Sequence, residues 1–534
     1  MPGSVGKREN TSLSRKETIE INAEFASALD LLENPNNHVF ITGKAGTGKS
    51  TLLDYFRRTT GKEVAVLAPT GVAALNVEGQ TIHSFFGFKP GITPDKVKRV
   101  SGPEGDIFRQ FDTIIIDEVS MVRADLLDCV EKFLRLNGPH GKRWFGGVQM
   151  VFVGDLYQLP PVVASSEKEI FTHRYETPYF FSAQVFKEPT FVMELIELEK
   201  VYRQTDPEFI ALLNAIRNRS CTDDDLEKLN SRHVPGFVPP DDAFYVTLTT
   251  TNDLAAARNL DKLASLPGAA LRYDSLITGQ FDRSSLPAEE TLTLKAGAQV
   301  MLVNNDKGGR WVNGTLGRVL GAEGDGDEEN VIVVELMDGS IVEAARNTWD
   351  LFEYQYDRET KRISTRKTGS FTQYPIRLAW AVTIHKSQGK TFDRVVIDIG
   401  KGAFAHGQIY VALSRCTNLS GITLIQRISR QQIRTDWRVA SFLTRFRYRK
   451  AEEEMSYEER RRIIEDAMRR GMNLEIVYLK PDDSKSRRTI RPISIEEMEY
   501  KGKTFEGLRA YCALRKGERS FRIDRILEIS YAIG

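Results

Sequence analysis

Cysteine is scarce in this chain, and the few cysteines are scattered. Only four occur among 534 residues, they form no C-x-x-C pair, and they lie at Cys129, Cys221, Cys416 and Cys512. This spacing argues against a zinc site or a disulfide framework and is typical of a reducing compartment. We therefore expect each cysteine to be a small residue of a hydrophobic core.

The sequence also lacks a long hydrophobic run and an excess of either charge. No stretch reaches the ~18 apolar residues of a membrane span, and residues 1–20 lack the apolar core of a signal peptide. Lys and Arg number 74 against 73 Asp and Glu, which leaves a net charge of +1. We expect a soluble, intracellular protein without a membrane partner, whose nucleic-acid surfaces, where present, arise from local clusters of charge.

The length and the apolar content of 41% predict a globular, multidomain chain. Between residues 19 and 201, short apolar strands such as 64–67, 113–116 and 150–153 alternate with helical stretches such as 124–136. Continuous apolar strands with intervening helices indicate a parallel sheet covered on both faces. From about residue 294 to 374, short strands split by Gly-rich and Asp-rich turns indicate a β-rich insertion.

The most informative segment is G-x-x-x-x-G-K-S at residues 43–50, between an apparent buried strand and the start of a helix. The glycines let backbone N–H groups turn toward phosphates, Lys49 supplies a mobile cation, and the hydroxyl of Ser50 is a magnesium ligand. The segment predicts a nucleoside triphosphate site built from Gly43, Lys44, Ala45, Gly46, Thr47, Gly48, Lys49, Ser50 and Thr51.

Two carboxylates, Asp117 and Glu118, follow the apolar strand at 114–116. An Asp-Glu pair is more often a solvated turn, but behind a phosphate loop the end of a buried strand is where carboxylates serve catalysis. There Asp117 would hold magnesium and Glu118 would accept a proton from the attacking water.

Three further polar residues are candidates for the same site. Gln158 follows another apolar strand and is expected to contact the γ-phosphate. Arg203 and Arg415 could neutralise charge on the transferred phosphoryl group. Taken alone, either arginine is more often a surface ion-pair partner.

Together, these motifs resemble the ordered motif set of superfamily-one helicases, and specifically of the Pif family. The resemblance covers about residues 19 to 428, and its most specific parts are His-Lys-Ser-Gln-Gly-Lys-Thr at 385–391 and Val-Ala-Leu-Ser-Arg at 411–415. It implies two RecA-like motor domains with ATP and Mg²⁺ in their cleft. Gln388 and Gly389 would join the ATP site, and Arg203 and Arg415 would reach the γ-phosphate from the second motor domain.

The resemblance also implies a track for single-stranded DNA. Its members would contact phosphates through backbone N–H groups and hydroxyls, and His83, Phe85 or Phe86 would stack on bases. For the two phenylalanines, simple core packing is an equal alternative. The implied residues are Pro69, Thr70, Gly71, His83, Ser84, Phe85, Phe86, Thr383, His385 and Lys386.

One feature departs from the helicase pattern. Helicases of this group commonly place a glutamine upstream of the phosphate loop to read adenine, and residues 19–25 contain none. The sequence therefore leaves adenine selectivity open.

Residues 463–529 resemble a WYL domain, although Glu506, Gly507 and Leu508 stand near the place of its Trp-Tyr-Leu signature. Basic residues alternate there with aromatic ones, which suits single-stranded nucleic acid. We expect Arg487, Arg488 and Arg519 to bind DNA and to give the protein a second DNA contact. A solvated basic face around ordinary core aromatics is the alternative.

The predicted fold class is α/β: two RecA-like parallel-sheet domains, a Src-homology-three-like β-barrel insertion and a small WYL-like α+β domain. The predicted segments are a polar tail (1–17), the first motor domain (18–205) with a small insertion near 80–108, the second motor domain (206–294 and 376–435), the barrel-like insertion (295–375), a charged helical linker (436–460) and the WYL-like domain (461–534).

We predict an ATP-dependent DNA helicase that moves 5′ to 3′, with the direction taken from the family resemblance. Its partners are single-stranded and duplex or forked DNA, and we expect a monomeric motor in the bacterial cytoplasm at the nucleoid. Two alternatives remain: a RecD-like motor subunit of a nuclease complex, and a WYL-type regulatory protein with a switch ATPase. The preferred DNA structure, the ligand of the WYL-like module and any protein partners are left open.

Overall fold

The computed structural model of the protein describes residues 21–89, 91–163, 167, 171, 173–204, 206–279, 281, 286–323, 330–357, 362–400, 402, 405–480, 485–500 and 502–532. The predicted polar tail at 1–17 lies outside these residues. Within them, no helix combines the length and apolar character needed to cross a bilayer. All four cysteines are buried and free, as predicted.

The first unit is built on a six-stranded parallel sheet in the order β3-β2-β4-β5-β1-β6. Every residue of β4 and β5 is buried, because helices cover both faces of the sheet. The strands are β1 (His38–Gly43), β2 (Val64–Ala68), β3 (Gln80–Thr81), β4 (Thr113–Ile116), β5 (Gln149–Val153) and β6 (Met193–Leu198).

The helices of this unit begin where the sequence offers a cap. Asn22 accepts a hydrogen bond from the N–H of Phe25 at 2.9 Å, and Thr70 accepts one from the N–H of Ala73 at 3.3 Å. The helices are α1 (Ala23–Glu33), α2 (Lys49–Thr59), α3 (Gly71–Asn76), α4 (Ile82–Phe86), α5 (Pro103–Asp106) and α6 (Ala124–Asn137).

The second unit combines a parallel sheet with antiparallel ones. Its helices are α7 (Pro207–Arg217), α8 (Asp223–Asn230), α9 (Asn252–Ser265) and α10 (Gln408–Leu413). Its strands are β7 (Val246–Thr249), β8 (Leu271–Asp274), β9 (Leu276–Gly279), β10 (Thr291–Leu294), β11 (Gln299–Leu302), β12 (Leu316–Glu323), β13 (Val331–Leu336), β14 (Ile341–Ala344), β15 (Asn347–Asp357), β16 (Arg362–Gln373), β17 (Ile376–Leu378), β18 (Ala381–Thr383), β19 (Val395–Asp398) and β20 (Ile422–Leu424).

The strand pairing gives the antiparallel insertion wider bounds than the predicted segment 295–375. The parallel sheet has the order β18-β7-β19-β20, and the antiparallel sheets have the orders β14-β13-β12-β11-β17, β15-β16-β9 and β10-β8. The described strands from β8 to β17 pair only among themselves, and β17 still pairs with β11. The antiparallel region therefore extends from Leu271 to Leu378. Its first strands were missed because they are short and β8 and β9 are mostly exposed.

The predicted charged linker, 436–460, contains α11 (Trp437–Glu454) and the first residues of α12 (Tyr457–Arg470). The Phe442 ring of α11 stacks on Phe181 at 4.3 Å between ring centroids, and Leu443 is fully buried. The segment is therefore docked on the first unit rather than solvated between two domains. An apolar stripe at helical spacing among the many charges explains this packing.

The C-terminal module is one antiparallel sheet in the order β24-β23-β22-β21-β25. Ile464 and Ala467 of α12 are fully buried against its inner face. The strands are β21 (Leu474–Leu479), β22 (Lys485–Tyr500), β23 (Lys503–Cys512), β24 (Gly517–Arg522) and β25 (Ile526–Tyr531).

Candidate nucleotide and nucleic-acid sites

A cleft of about 760 Å³ opens at the phosphate loop between the two units. Most of the predicted nucleotide-site residues line it: Ala45, Gly46, Thr47, Gly48, Lys49, Ser50, Thr51, Asp117, Glu118, Gln158, Arg203, Gly389 and Arg415. Phe25, Gly154, Tyr202 and Thr391 also line the cleft and were not predicted. The structure thus brings residues of the first motif, such as Lys49, together with residues of the last one, such as Arg415.

The backbone of the phosphate loop needs its glycines. Gly46 and Gly48 have φ values of 80° and 83°, in the left-handed region that favours glycine. A Cβ on Gly46 would lie 2.4 Å from the Cβ of Arg203. The Nζ of Lys49 donates hydrogen bonds to the carbonyl oxygens of Gly43 and Lys44, at 2.8 and 2.9 Å.

Asp117 and Glu118 lie just past the carboxyl end of β4, and burial raises the pKa of both. Burial together with the neighbouring Asp117 raises the pKa of Glu118 to about 7. Gln388 donates hydrogen bonds to Glu118 Oε2 at 2.8 Å and to Gln158 Oε1 at 3.3 Å. The left-handed backbone of Glu118, with φ of 50°, turns the chain sharply at this point.

Arg203 and Arg415 bring two cations to the cleft. Arg203 Nη2 donates to the carbonyl oxygen of Gly389 at 3.1 Å, and its Nη1 is buried without a hydrogen bond. Arg415 is 1% exposed and donates to the carbonyl oxygen of Val411 at 3.0 Å. Burial lowers the pKa of Arg203, and burial together with Arg203 lowers that of Arg415 to about 9.

A buried network behind the cleft joins the two units and was not predicted. Asp155 accepts a hydrogen bond from Arg217 Nη2 at 3.0 Å and another from the hydroxyl of Tyr410 at 3.3 Å. That hydroxyl also accepts from the N–H of Ala45 at 3.2 Å. Burial alone would raise the pKa of Asp155, but Arg217 lowers it overall. Asp155 lies three residues before Gln158 and Tyr410 directly precedes the Val-Ala-Leu-Ser-Arg segment, whereas nothing in the local sequence marked Arg217.

The segments predicted to line the DNA track follow strands in both units. Pro69, Thr70 and Gly71 come directly after β2, and Thr383 ends β18 just before His385 and Lys386. Thr70, Ser84 and Lys386 are exposed, whereas Pro69, Gly71, His83 and His385 are half-buried and Thr383 is buried. Burial lowers the pKa of His83 and of His385.

Contacts through the insertion connect these two segments. Asn313 donates a hydrogen bond to the Oδ1 of Asn76, at the end of α3, at 3.1 Å, and accepts one from Lys390. Helix α3 begins at Gly71, and Lys390 lies four residues after Lys386. The track candidates of the two units are therefore linked through the antiparallel insertion.

Phe85 and Phe86 are core residues, which corrects the prediction that they stack on bases. They are 8% and 4% exposed. The Phe85 ring makes edge contacts with Phe108 and Phe111, each at 5.5 Å between centroids. One short helix places both rings inside the first unit, so neither has a face free for a base.

The basic residues predicted to form one DNA surface on the C-terminal module are separated. Arg487 is exposed beside Glu475 and Glu528, at 4.0 and 3.9 Å. Arg488 points to the opposite face, because side chains alternate along a strand, and lies over the Phe521 ring at 5.8 Å. Arg519 is exposed on edge strand β24. The interleaved Phe521 is 3% exposed and belongs to the core.

The two parallel sheets, with a phosphate loop and carboxylates at strand ends, define a phosphate-loop nucleotide-binding protein of the α/β class. Three family models match the chain. A PIF1-like helicase model matches residues 20–227, a UvrD-like helicase C-terminal domain matches 378–423, and a WYL domain matches 459–530.

Relatives and solved structures agree with these models. The chain is 34% identical to the ATP-dependent DNA helicase Pif1 of Bdellovibrio bacteriovorus, over 76% of this chain and 88% of the relative. It is 36% identical to human ATP-dependent DNA helicase PIF1, over 77% of this chain, and spans 61% of that relative's length. Pif1 from Bacteroides sp with ADP-AlF4 has a TM-score of 0.73 at 38% identity, covering 80% of this chain and 97% of that one. The TM-score falls to 0.57 for the same protein bound to ssDNA.

The chain belongs to the PIF1-like helicase family and carries a WYL domain at its C-terminal end. Both resemblances inferred from the motifs are thereby confirmed, as is the α/β class of the motor.

Proposed function

We propose that the protein is an ATP-dependent DNA helicase that moves 5′ to 3′ on single-stranded DNA and separates duplex ahead of it. The observation that carries the proposal is the convergence on one cleft of Lys49, Glu118 and Gln158 from the first sheet's loops with Arg415 from the second unit. A triphosphate in this cleft would contact both units, so hydrolysis would change how they close on each other.

In this mechanism, Lys49 exchanges the loop carbonyl oxygens of Gly43 and Lys44 for the β- and γ-phosphates. Glu118 accepts the proton of the attacking water. Gln388, which already donates to Glu118, and Gln158 orient that water. Arg203 and Arg415 neutralise the charge that develops on the transferred phosphoryl group.

The donor set at the cleft fits a magnesium ion. The hydroxyl of Ser50 and the carboxylate of Asp117 line the same wall, and hard oxygen ligands are those that Mg²⁺ prefers. These two residues would hold the ion, which would offset negative charge on the phosphates.

Several finer features belong to the same proposal. The antiparallel insertion is the Src-homology-three-like subdomain of the family, and the WYL module adds a second nucleic-acid contact that raises DNA affinity through effective concentration. The motor acts as a monomer on single-stranded and forked DNA at the bacterial nucleoid. Similar proteins support the choice of substrate, because the solved structures include Bacteroides Pif1 bound to ssDNA and a Pif1 structure that addresses DNA unwinding at forked dsDNA.

The test compares unwinding of partial duplexes that carry either a 5′ or a 3′ single-stranded tail. We expect strand displacement with ATP on the 5′-tailed substrate only, and none with Lys49→Ala. Unwinding of the 3′-tailed substrate alone would overturn the direction, and an active Lys49→Ala would remove the phosphate loop from the mechanism. ATP turnover without strand displacement would favour a switch ATPase.

A further inference from the structure

One lysine of the C-terminal module reaches a strand of the first unit. The Nζ of Lys485, on β22, lies 2.9 Å from Glu197 Oε2 and 3.0 Å from Glu199 Oε1. Glu197 belongs to β6, and Glu199 is the first residue after it. The Lys485 side chain is 31% exposed, so this bridge is partly shielded from solvent.

The bridge is part of a larger buried set of charges. Arg447 of α11 binds both oxygens of the Glu197 carboxylate: its Nη2 donates to Oε1 at 2.6 Å and its Nε donates to Oε2 at 3.0 Å. Burial alone would raise the pKa of Glu197, but Arg447 and Lys485 hold it well below its usual range. Burial would lower the pKa of Lys485, and Glu197 and Glu199 raise it overall. Both charges are therefore kept in place at neutral pH.

The chain that follows β6 wraps the phosphate loop. Gly43 pairs with Leu198 at the end of β6. Beyond it, the N–H of Tyr202 donates to the carbonyl oxygen of Gly46 at 2.8 Å, and Arg203 enters the cleft. Only a few residues separate Glu199 from the wall of the nucleotide site.

We propose that Lys485 is a positioning residue for the nucleotide site: by clamping Glu197 and Glu199 it fixes the end of β6, and through it Tyr202 and Arg203, against the phosphate loop. The C-terminal module thus sets the affinity of the cleft for nucleotide from outside it. The inference rests on the proposed function of the cleft as an ATP site, but binding of ADP tests it without hydrolysis.

The test compares Lys485→Met with Arg491→Met in the full chain. Arg491 lies on the same strand, is exposed and lies over the Tyr511 ring of its own module, at 5.9 Å from the ring centroid. We expect Lys485→Met to raise the Kd for a fluorescent ADP analogue and the KM for ATP on the order of fivefold, with kcat within about twofold. Lys485→Arg restores both values, and Arg491→Met leaves them unchanged. Thermal unfolding of each variant shows that the fold is intact.

A second measurement uses the reciprocity of coupling. If the module affects nucleotide binding, nucleotide must affect the module by the same free energy. We expect ADP to slow hydrogen exchange in β22 of the wild-type protein and not in Lys485→Met. Equal ADP affinity in Lys485→Met and wild type would overturn the inference while leaving the ATP site intact, whereas a wild-type protein that binds no ADP would overturn the proposed function and the inference with it.

Discussion

Glu118 is well suited to accept a proton from water, because its pKa is raised to about 7 and Gln388 fixes its carboxylate. Replacement by glutamine keeps the shape and removes the base. We expect Glu118→Gln to lower the rate of ATP hydrolysis roughly 10²- to 10⁴-fold, with ADP affinity nearly unchanged. Steady-state ATPase assays and nucleotide titration measure the two effects. A variant that loses ADP affinity as strongly as Lys49→Ala would assign Glu118 to binding instead.

Phe85 offers a second test at this scale. Because its ring is buried among aromatic neighbours, we expect Phe85→Ala to lower the free energy of unfolding by about 3 to 5 kcal/mol. Urea denaturation measures the loss, and Ser84→Ala, at an exposed neighbouring position, serves as the control. Normal stability with weakened binding of single-stranded DNA would restore the role of Phe85 in base stacking.

These residues also mark how far sequence predicts a site. Lys49 and Glu118 were predicted from local motifs, and both line the cleft because each motif fixes the local backbone geometry. Phe85 was ambiguous because five helical residues do not reveal which face is covered. Arg217 was missed because its partner Asp155 lies 62 residues away and only the fold brings them together.

At the level of elements, His38 at the start of β1 makes the first sheet sensitive to acid. Its Nδ1 accepts a hydrogen bond from the N–H of Met150 at 3.1 Å, and burial lowers its pKa to about 4. The unfolded chain takes up this proton near pH 6.5 and the folded one only near 4, so stability falls as pH drops through that window. The loss is about 2 kcal/mol between pH 7.5 and pH 5.

Glutamine at position 38 keeps an acceptor that does not titrate. We expect the urea midpoint of His38→Gln to change less between pH 7.5 and pH 5 than that of the wild type. Equal changes in the two proteins would assign the acid sensitivity to other groups.

Elements were predictable where their sequence pattern was long and regular. The parallel strands of the first unit are continuous apolar runs, and they form as expected. Strand β3, with two residues, carries too little pattern to be recognised. In α11 the charges dominate the composition and conceal the stripe formed by Val439, Phe442 and Leu443, which packs on the first unit.

At the scale of the whole molecule, the β15–β16 hairpin extends from the insertion to the first unit. The Tyr354 ring lies 5.2 Å from Phe111, and Gln80 Nε2 donates to the carbonyl oxygen of Phe352 at 2.6 Å. The chain is more similar to Bacteroides Pif1 without DNA than with it, at TM-scores of 0.73 and 0.57. We therefore expect single-stranded DNA to move the hairpin off the first unit.

Fluorescent labels at Arg109→Cys and Phe352→Cys report the distance across this contact, since both native residues are exposed. Energy transfer should fall when single-stranded DNA is added. A pair at Leu320→Cys and Ile341→Cys, within the insertion, should not respond. Unchanged transfer in the first pair would show that the hairpin stays in place when DNA binds.

Contacts between residues that are far apart in the sequence could not be predicted from it. Lys485 and Glu199 lie 286 residues apart, and no periodicity or motif links them. Composition and motifs predict the order of the domains along the chain. They do not predict the surfaces on which the domains meet, because the charged side chains at those surfaces have the same sequence pattern as exposed ones.

The left-handed backbone at Glu118 has a consequence for the stability of the first unit. A non-glycine residue in that conformation costs about 1 kcal/mol or more relative to glycine, and the buried carboxylate adds a desolvation penalty. Glu118→Gly should therefore raise the melting temperature while abolishing ATP hydrolysis. The difference in melting temperature between the two proteins would then measure the stability that the native chain loses by placing a carboxylate at this position.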